Sequence, residues 1–433
     1  MKTLLAGAVA SLLVSSAGAM DLLEVYQESL ANDAVYAAAR AQAEAGREGV
    51  VQARAGLLPN VGVSGNTTWN ENTFSGVDRN YNSNGYGAQL TQPLFRWQNW
   101  VQYQQGRLQL GVTEAQLLNA RQDLALRVSQ AYFDVLKAQD VLLAVESLKQ
   151  AASEQLALSK KSFEVGTVTI TDVHEAQSRF DLANAQQLAA ANDLEVRRQA
   201  LTQLIGRPAG DLAPLREGAE IEAPQPGDIG SWVGAAEQNA YGVQIQRLAA
   251  EIADREVDRN RAAHLPTVDV VARYSKANTG FSTTTGAAAE STSRSIGLEL
   301  AMPLYAGGAL WSRDREAAAL KLRADSDLEA ARRSAALAAR QAYLGVTSGM
   351  AQISALEAAR VSSRSALEAN RLGYEVGVRI NIDVLNAQSQ LSDAEQRLAA
   401  ARYDTLVAQL QLEAAAGSLD EDDIRRVNGL LKH

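Results

Sequence analysis

Apolar residues recur at two spacings along this chain, and each spacing predicts a different kind of element. Over residues 21–56, 95–162 and 171–205 they recur every three to five positions, which is the period of a helix. At about 1.5 Å per residue, the middle helix would be about 100 Å long. The two shorter helices, laid end to end, would match that length. We therefore expect pairs of short helices beside long ones, packed closely through alanine and supercoiled.

Shorter segments alternate apolar and polar side chains, which predicts β-strands. They come in two pairs, and the polar stretches 70–84 and 277–293 separate the members of each pair. These stretches are rich in Asn, Gly, Ser and Thr, so we expect solvent-facing loops. The four predicted strands are residues 61–69, 86–90, 268–274 and 296–300.

The chain repeats itself, because phrases of the first half return in the same order in the second. LLPNVGV at Leu57 returns as HLPTVDV at His264, and QPLF returns as MPLY. FEVGTVTITDV at Phe163 returns as YEVGVRINIDV at Tyr374. This repetition predicts one structural unit built twice. The predicted organisation is a signal peptide over 1–19, repeats over 20–205 and 229–417, a connecting segment over 206–228 and a tail over 418–433.

The first residues predict export. Lys2 precedes an apolar run over residues 4–14, and Ala17, Gly18 and Ala19 form a cleavage site, so the mature chain would begin at Met20. A membrane anchor is the alternative, although the run is shorter than the roughly 18 residues that span a bilayer. The chain has no cysteine, which excludes disulfides and a lipid-modified cysteine. Its formal charge of −9 argues against nucleic-acid binding.

The strands have the length and alternation of outer-membrane β-barrel strands. Four strands cannot close such a barrel, since the smallest have about eight, but a trimer would supply twelve. Two soluble hairpins with ordinary cores are the alternative. In the barrel, Gln89, Asp269 and Glu299 would face the lumen, and apolar residues would face lipid. An aromatic girdle would follow the second strand of each half, made of Phe95, Trp97, Trp100, Tyr103, Tyr305 and Trp311.

Over essentially the whole mature chain, these phrases resemble the TolC family of outer-membrane efflux and type I secretion channels. The resemblance rests on LLPNV and HLPTV, QPLF and MPLY, and the paired glycine turns at Gly166 and Gly377. It implies a mainly α fold with a β-barrel part. Three chains would share a 12-stranded barrel in the outer membrane and a coiled-coil tunnel across the periplasm. A periplasmic adaptor and an inner-membrane transporter, of ABC, RND or MFS type, would dock at the two turns.

The resemblance also implies a gate at the turns. Tyr374 and Arg379 of the second copy would bond Asp172 and Thr171 of the first, because a phenol and a guanidinium need acceptors. Asp172 has another interpretation as a helix cap, since it stands three residues before Glu175. Arg379 has another as a solvated charge.

A constriction ring is the second implied site. Three copies of Asp383 would face one another across the lumen and attract cations that block the channel. The family pattern often has a second acid one turn later, where this chain has Asn386. We therefore expect weaker cation trapping than a doubled ring would give. No other metal site is expected.

Catalysis has little support in the sequence. His174, His264 and His433 are far apart, and no glycine-rich phosphate loop follows a strand. We expect neither an enzyme nor a cofactor. A secreted periplasmic coiled-coil scaffold or adaptor without a pore is the alternative to an exit duct for drugs or secreted proteins.

Overall fold

A computed structural model of the chain describes residues 19–74, 76–216, 218–281 and 287–432. The predicted signal peptide lies outside the described residues except for Ala19, and so does His433. The described elements are α1 (Leu22–Asn32), α2 (Ala34–Ala55), β1 (Asn60–Phe74), β2 (Val77–Phe95), α3 (Trp97–Glu164), α4 (Ile170–Ile205), α5 (Ile229–Asn239), α6 (Tyr241–Arg261), β3 (Thr267–Thr279), β4 (Ala289–Ala301), α7 (Ala309–Glu375), α8 (Asn381–Ala416) and α9 (Glu421–Asn428).

The two long helices, α3 and α7, run for 68 and 67 residues without a break. Alanine, leucine and other strong helix formers fill them, and no proline interrupts either one. Each is followed by a short glycine turn and then by a helix of 36 residues, α4 or α8. The predicted helices over 95–162 and 171–205 are therefore confirmed, with ends shifted by two residues at most.

The first predicted helix, over 21–56, is wrong as a single element because the chain breaks at Asp33. There the backbone is extended, with φ −68° and ψ 121°. The Asp33 carboxylate accepts the Tyr36 amide at 2.7 Å, which caps α2. It also accepts Arg127 of α3 at 3.0 Å, while only 7 % of its side chain is exposed. A buried ion pair from another helix thus fixes a break that periodicity did not indicate.

The chain forms two compact units, and each contains pieces of both sequence repeats. One holds residues up to Ala37, Arg121–Ala236 and Leu337 onward. Its main core brings α1, the middle of α3, α8 and α9 together around fully buried Tyr26, Tyr132 and Leu406. The described residues of the connecting segment 206–228 form no helix. A parallel bridge pairs Leu212 with Met20, and an antiparallel bridge pairs Leu215 with Leu431.

The other unit, Ala38–Ala120 and Glu237–Ala336, holds a four-stranded antiparallel sheet in the order β1-β2-β3-β4. The register puts apolar side chains on one face of the sheet. Val61 opposes Leu90, and Val270 opposes Leu298. This face is solvent-exposed in the single chain, with Val63 at 81 % and Ile296 at 79 % exposure.

The strands are longer than the alternation predicted. Most of the stretch 70–84 continues β1 and β2 rather than forming a loop, and β3 and β4 also extend into 277–293. Polar side chains pair across the strands, as Asn72 does with Tyr81 at 2.9 Å. The prediction of a loop is therefore wrong for most of 70–84, because polar composition indicates exposure, whereas ladder hydrogen bonds use backbone groups of any residue. In the second stretch, residues 280, 281, 287 and 288 do lie outside the strands, and residues 75 and 282–286 lie outside the described residues.

Glycines bring neighbouring helices close together, whereas the sequence had predicted close approach through alanines. In the first unit, α7 approaches α8 at Gly349, where a Cβ would clash with the hydroxyl of buried Thr405. In the second unit, α2 approaches α3 in the same way at Gly46 and Thr113. Among the described residues, no helix is long and apolar enough to cross a membrane.

Gly349→Ala should destabilise the α7–α8 contact by about 1–3 kcal/mol, because the added methyl overpacks against Thr405. The matched control is Gly345→Ala on the same helix, where the new Cβ would make an ordinary 3.7 Å contact with Ala408. That control should be neutral or stabilising, since alanine favours a helix more than glycine does. Thermal unfolding followed by far-UV circular dichroism in detergent checks both. Equal midpoints for the two variants would contradict the close approach.

Asp33→Asn should lower stability at neutral pH by about 2 kcal/mol, because it removes a charged hydrogen bond but keeps a cap for Tyr36. The hydrogen bond from Arg127, followed by that from the Tyr36 amide, holds the pKa of Asp33 below its usual range. A carboxylate whose pKa is lower in the folded state than in the unfolded state stabilises the fold at pH values above its unfolded-state pKa. That stabilisation is lost as the pH falls through the folded-state pKa. The difference in free energy of unfolding between wild type and Asp33→Asn should therefore disappear at acidic pH.

The control for this prediction is Asp123→Asn, which removes an exposed carboxylate that bonds the same arginine at 2.7 Å. Its effect should be smaller at every pH. Urea unfolding at a series of pH values measures both gaps. If the difference in free energy of unfolding between wild type and Asp33→Asn stayed constant down to acidic pH, the ion pair could not be its cause.

Candidate functional site

The two duplicated turns share one backbone conformation. Gly166 and Gly377 have φ of 78° and 79°, in the left-handed region where glycine avoids a steric penalty. The amide of Thr167 donates to the Ser162 carbonyl at 2.9 Å, and the amide of Val378 donates to the Gly373 carbonyl at 2.9 Å. Such bonds close a helix C-terminus with a glycine reversal. Functional differences between the turns must therefore come from side chains.

The first turn begins α4 with a capping box. The Thr169 hydroxyl accepts the Asp172 amide at 3.3 Å, and Asp172 Oδ2 accepts the Thr169 amide at 2.8 Å. The same Oδ2 also accepts the Thr169 hydroxyl at 2.7 Å. Asp172 is thus an N3 residue that satisfies amides at the helix start. The interpretation of Asp172 as the cap residue itself, paired with Glu175, is wrong: Thr169 is the N-cap, and Asp172 is its partner in the capping box. These three bonds do not use Asp172 Oδ1.

The second turn has lost that cap. Ile380 stands where the first turn has Thr169, and α8 begins without a side-chain hydrogen bond from its cap residue. Asp383, at the position of Asp172, therefore has no hydroxyl partner one turn back. It lies 3.7 Å from the Arg379 guanidinium instead. The replacement of one hydroxyl by an alkyl group thus releases a carboxylate from a structural role.

Arg379 lies in a space that Gly373 provides. A Cβ on Gly373 would stand 2.6 Å from Arg379 Cγ. The first copy has Ser162 and Val168 at these two positions, so the copy with the arginine is also the copy with the glycine. Tyr374 packs against a small buried cluster, which consists of Leu367, Val384, Ala387 and Leu391.

The four predicted gate residues lie at the two turns, but the bonds recorded are local. Asp172 bonds Thr169, and Arg379 pairs with Asp383. Within the described residues of one chain, neither Tyr374 nor Arg379 is in hydrogen-bond contact with Asp172, and Thr171 is exposed. Links between the turns therefore remain a hypothesis about the assembled protein.

Two contacts join α3 and α4 to α8, and the sequence reasoning missed both. Asn381 donates to Ser159 at 3.1 Å, and both residues are buried. Arg179 of α4 donates through Nη2 to Asn386 Oδ1 at 2.9 Å. Asn381 stands where the first copy has Ile170, and this polar-for-apolar exchange at a duplicated position was the signal available in the sequence.

The sheet has a polar face opposite its apolar one. Arg96 donates to both carboxylate oxygens of Asp269, at 2.8 and 2.5 Å, and the aspartate side chain is 9 % exposed. Arg273 donates to Glu299 at 2.7 Å and to Gln89 at 3.3 Å. The three residues predicted for the lumen therefore share one face of the sheet and are linked by arginines.

The predicted aromatic cluster lies at the ends of the strands that adjoin the long helices. Its members are largely exposed in the single chain, with Trp97 at 47 %, Trp311 at 67 % and Tyr305 at 86 %. No group of three or more His, Asp or Glu that could hold a metal ion occurs in the part of the chain that the structure describes.

The chain resembles known proteins over nearly its whole length. The family model for outer membrane efflux protein matches residues 25–207 and 232–418. The outer membrane protein TolC of Vibrio cholerae is 32 % identical over 97 % of this chain and 96 % of its own. The alkaline protease secretion protein AprF of Pseudomonas aeruginosa is 33 % identical over 99 % of this chain and 90 % of its own. The solved structure of the Campylobacter jejuni CmeC outer membrane channel superposes with a TM-score of 0.79. At 16 % identity, it covers 95 % of this chain and 90 % of that one.

Proposed function

This chain belongs to the outer membrane efflux protein family, and on that premise we propose that it is an outer-membrane exit duct for drug efflux, type I protein secretion or both. Its relatives include a TolC and a protein named for alkaline protease secretion. The observation that carries the proposal is the two-faced sheet, apolar on one side and polar on the other, joined to uninterrupted helices of 68 and 67 residues.

The duct is a homotrimer with a 12-stranded barrel. The exposed apolar face of the sheet would meet lipid, and the arginine-linked polar face would meet water in the lumen. β1 and β4 lie at the edges of the four-stranded sheet. In hydrocarbon, each unpaired backbone group on such an edge costs several kcal/mol, so the sheet must close. The exposed apolar face and the two edges that need closure support the barrel over two soluble hairpins and over a scaffold without a pore.

Partners dock at the turns. Apolar side chains there are exposed in the single chain, including Val165 at 74 %, Val376 at 65 % and Val378 at 76 %. Exposed apolar groups grouped at one end are typical of a protein interface. The partners are a periplasmic adaptor and an inner-membrane transporter of ABC, RND or MFS type. They supply the energy, and the duct is neither an enzyme nor bound to a cofactor.

The gate links are made between the turns. Tyr374 and Arg379 donate to Asp172 and Thr171 when the tunnel is closed. The geometry of Asp172 supports this, because both bonds from Thr169 go to Oδ2 and a link to Oδ1 leaves the cap intact. Partly exposed links of this kind contribute about 1 kcal/mol or less each, so threefold repetition is needed and a docking partner can break them.

The constriction is formed by Asp383 from each chain. Its side chain is about one-third exposed in the single chain, and no capping bond holds it. Three carboxylates around one axis would attract cations and bind a multivalent blocker. Asn386 one turn later contributes no charge, so blocking is weaker than two acidic rings would give.

The variant Tyr374→Phe with Arg379→Ser should raise single-channel conductance in a planar bilayer, because it removes the donors that hold the turns together. A control is Arg397→Ser, which removes an exposed arginine on α8 whose partner, Asp393, lies on the same helix. The control should conduct as wild type does. A double variant with the conductance of wild type would contradict the proposed gate. Wild-type protein that forms no channel would contradict the proposed duct.

Asp383→Ala should raise the concentration of hexaamminecobalt(III) needed for half block, because it removes the ring of carboxylates. Asp393→Ala on the same helix is the matched control, since Asp393 is exposed and pairs with Arg397. Block is read from single-channel currents at constant ionic strength, which keeps screening constant. Undiminished block after Asp383→Ala would show that the cation binds elsewhere.

A further inference from the structure

Asp383 and Asn386 lie three residues apart on α8, so they occupy one face of that helix. The structure places a guanidinium against each of them. Arg379 lies 3.7 Å from Asp383, and Arg179 donates to Asn386 at 2.9 Å. This face of each chain therefore carries two positive groups and one carboxylate.

We propose that Arg179, held by Asn386, sets the ion selectivity of the constriction by putting a positive charge one helical turn beyond the Asp383 ring. The inference rests on the proposed duct, in which this face of α8 borders the lumen. Three chains would then present six guanidiniums and three carboxylates at the narrowing. The guanidiniums weaken the attraction of the Asp383 ring for cations, so the ring binds a cationic blocker less tightly than the carboxylates alone would.

The neutral amide is what leaves the charge of Arg179 uncompensated. Asn386 Oδ1 accepts the hydrogen bond and fixes the guanidinium without cancelling it. An aspartate at 386 would form a charge-assisted pair with the same guanidinium. It follows that an acid at 386 cannot act as a second ring while Arg179 is present.

The experiment compares Arg179→Gln, Asn386→Asp and the double variant in planar bilayers across a KCl gradient. Reversal potential gives the selectivity, and half block by hexaamminecobalt(III) gives the cation affinity. Arg179→Gln should shift the reversal potential toward cations. Asn386→Asp should shift it in the same direction, because its carboxylate would compensate Arg179, and the double variant should be blocked at about tenfold lower concentration than Asn386→Asp.

Two controls separate charge from packing. Arg179→Lys keeps the charge and should retain wild-type selectivity. Arg197→Gln makes the same substitution on α4 at an arginine that pairs with Asp193 and with Asp134 of α3, and it should leave the reversal potential unchanged.

An Arg179→Gln channel with the wild-type reversal potential would overturn the inference. So would an Asn386→Asp single variant blocked as strongly as the double variant. Neither result would contradict the proposed duct, because each is measured on a channel that conducts ions. Wild-type protein that conducts no ions would contradict the proposed function instead.

Discussion

The sheet imposes the constraint on which the rest of the molecule depends. Its apolar face carries large side chains such as Val63 and Ile296 that are about four-fifths exposed in the single chain, and β1 and β4 lie at its edges. Hydrocarbon would cover the exposed apolar face, but open edges are tolerable there only if strands from other copies close the sheet. On the proposed assembly, this closure makes every feature of the chain threefold. Contacts at the turns that are weak in one chain would together hold the tunnel closed because each occurs three times.

The duplication allows the two turns to be compared position by position, because each residue of one copy has an equivalent in the other. The backbones of the turns match, and the side chains differ at eight of the fifteen positions from Phe163 to Gln177. Ile380 in place of Thr169 releases Asp383 from capping. Gly373 in place of Ser162 leaves space for Arg379. The second copy has thus exchanged local helix stability for charged groups that can act across the assembly.

Much of the fold was predictable, and the misses have a common cause. The long helices and the four strands followed from periodicity, which is a property of neighbouring residues, and the family followed from the resemblance of short repeated phrases. The break at Asp33 depends on Arg127, far away in sequence, and pairing extends β1 and β2 through polar residues. The contact between Arg179 and Asn386 is also long-range. Comparison with the family pattern indicated that Asn386 was unusual, but only the three-dimensional structure gave it a partner.

The central claim is that three copies of this chain form one closed barrel and one tunnel. The most direct measurement is the mass of the detergent-solubilised particle by native mass spectrometry, with detergent removed in the gas phase. We expect three chains per particle. A particle of one or two chains would contradict the trimer. It would contain only four or eight strands, which is fewer than the twelve of the proposed barrel.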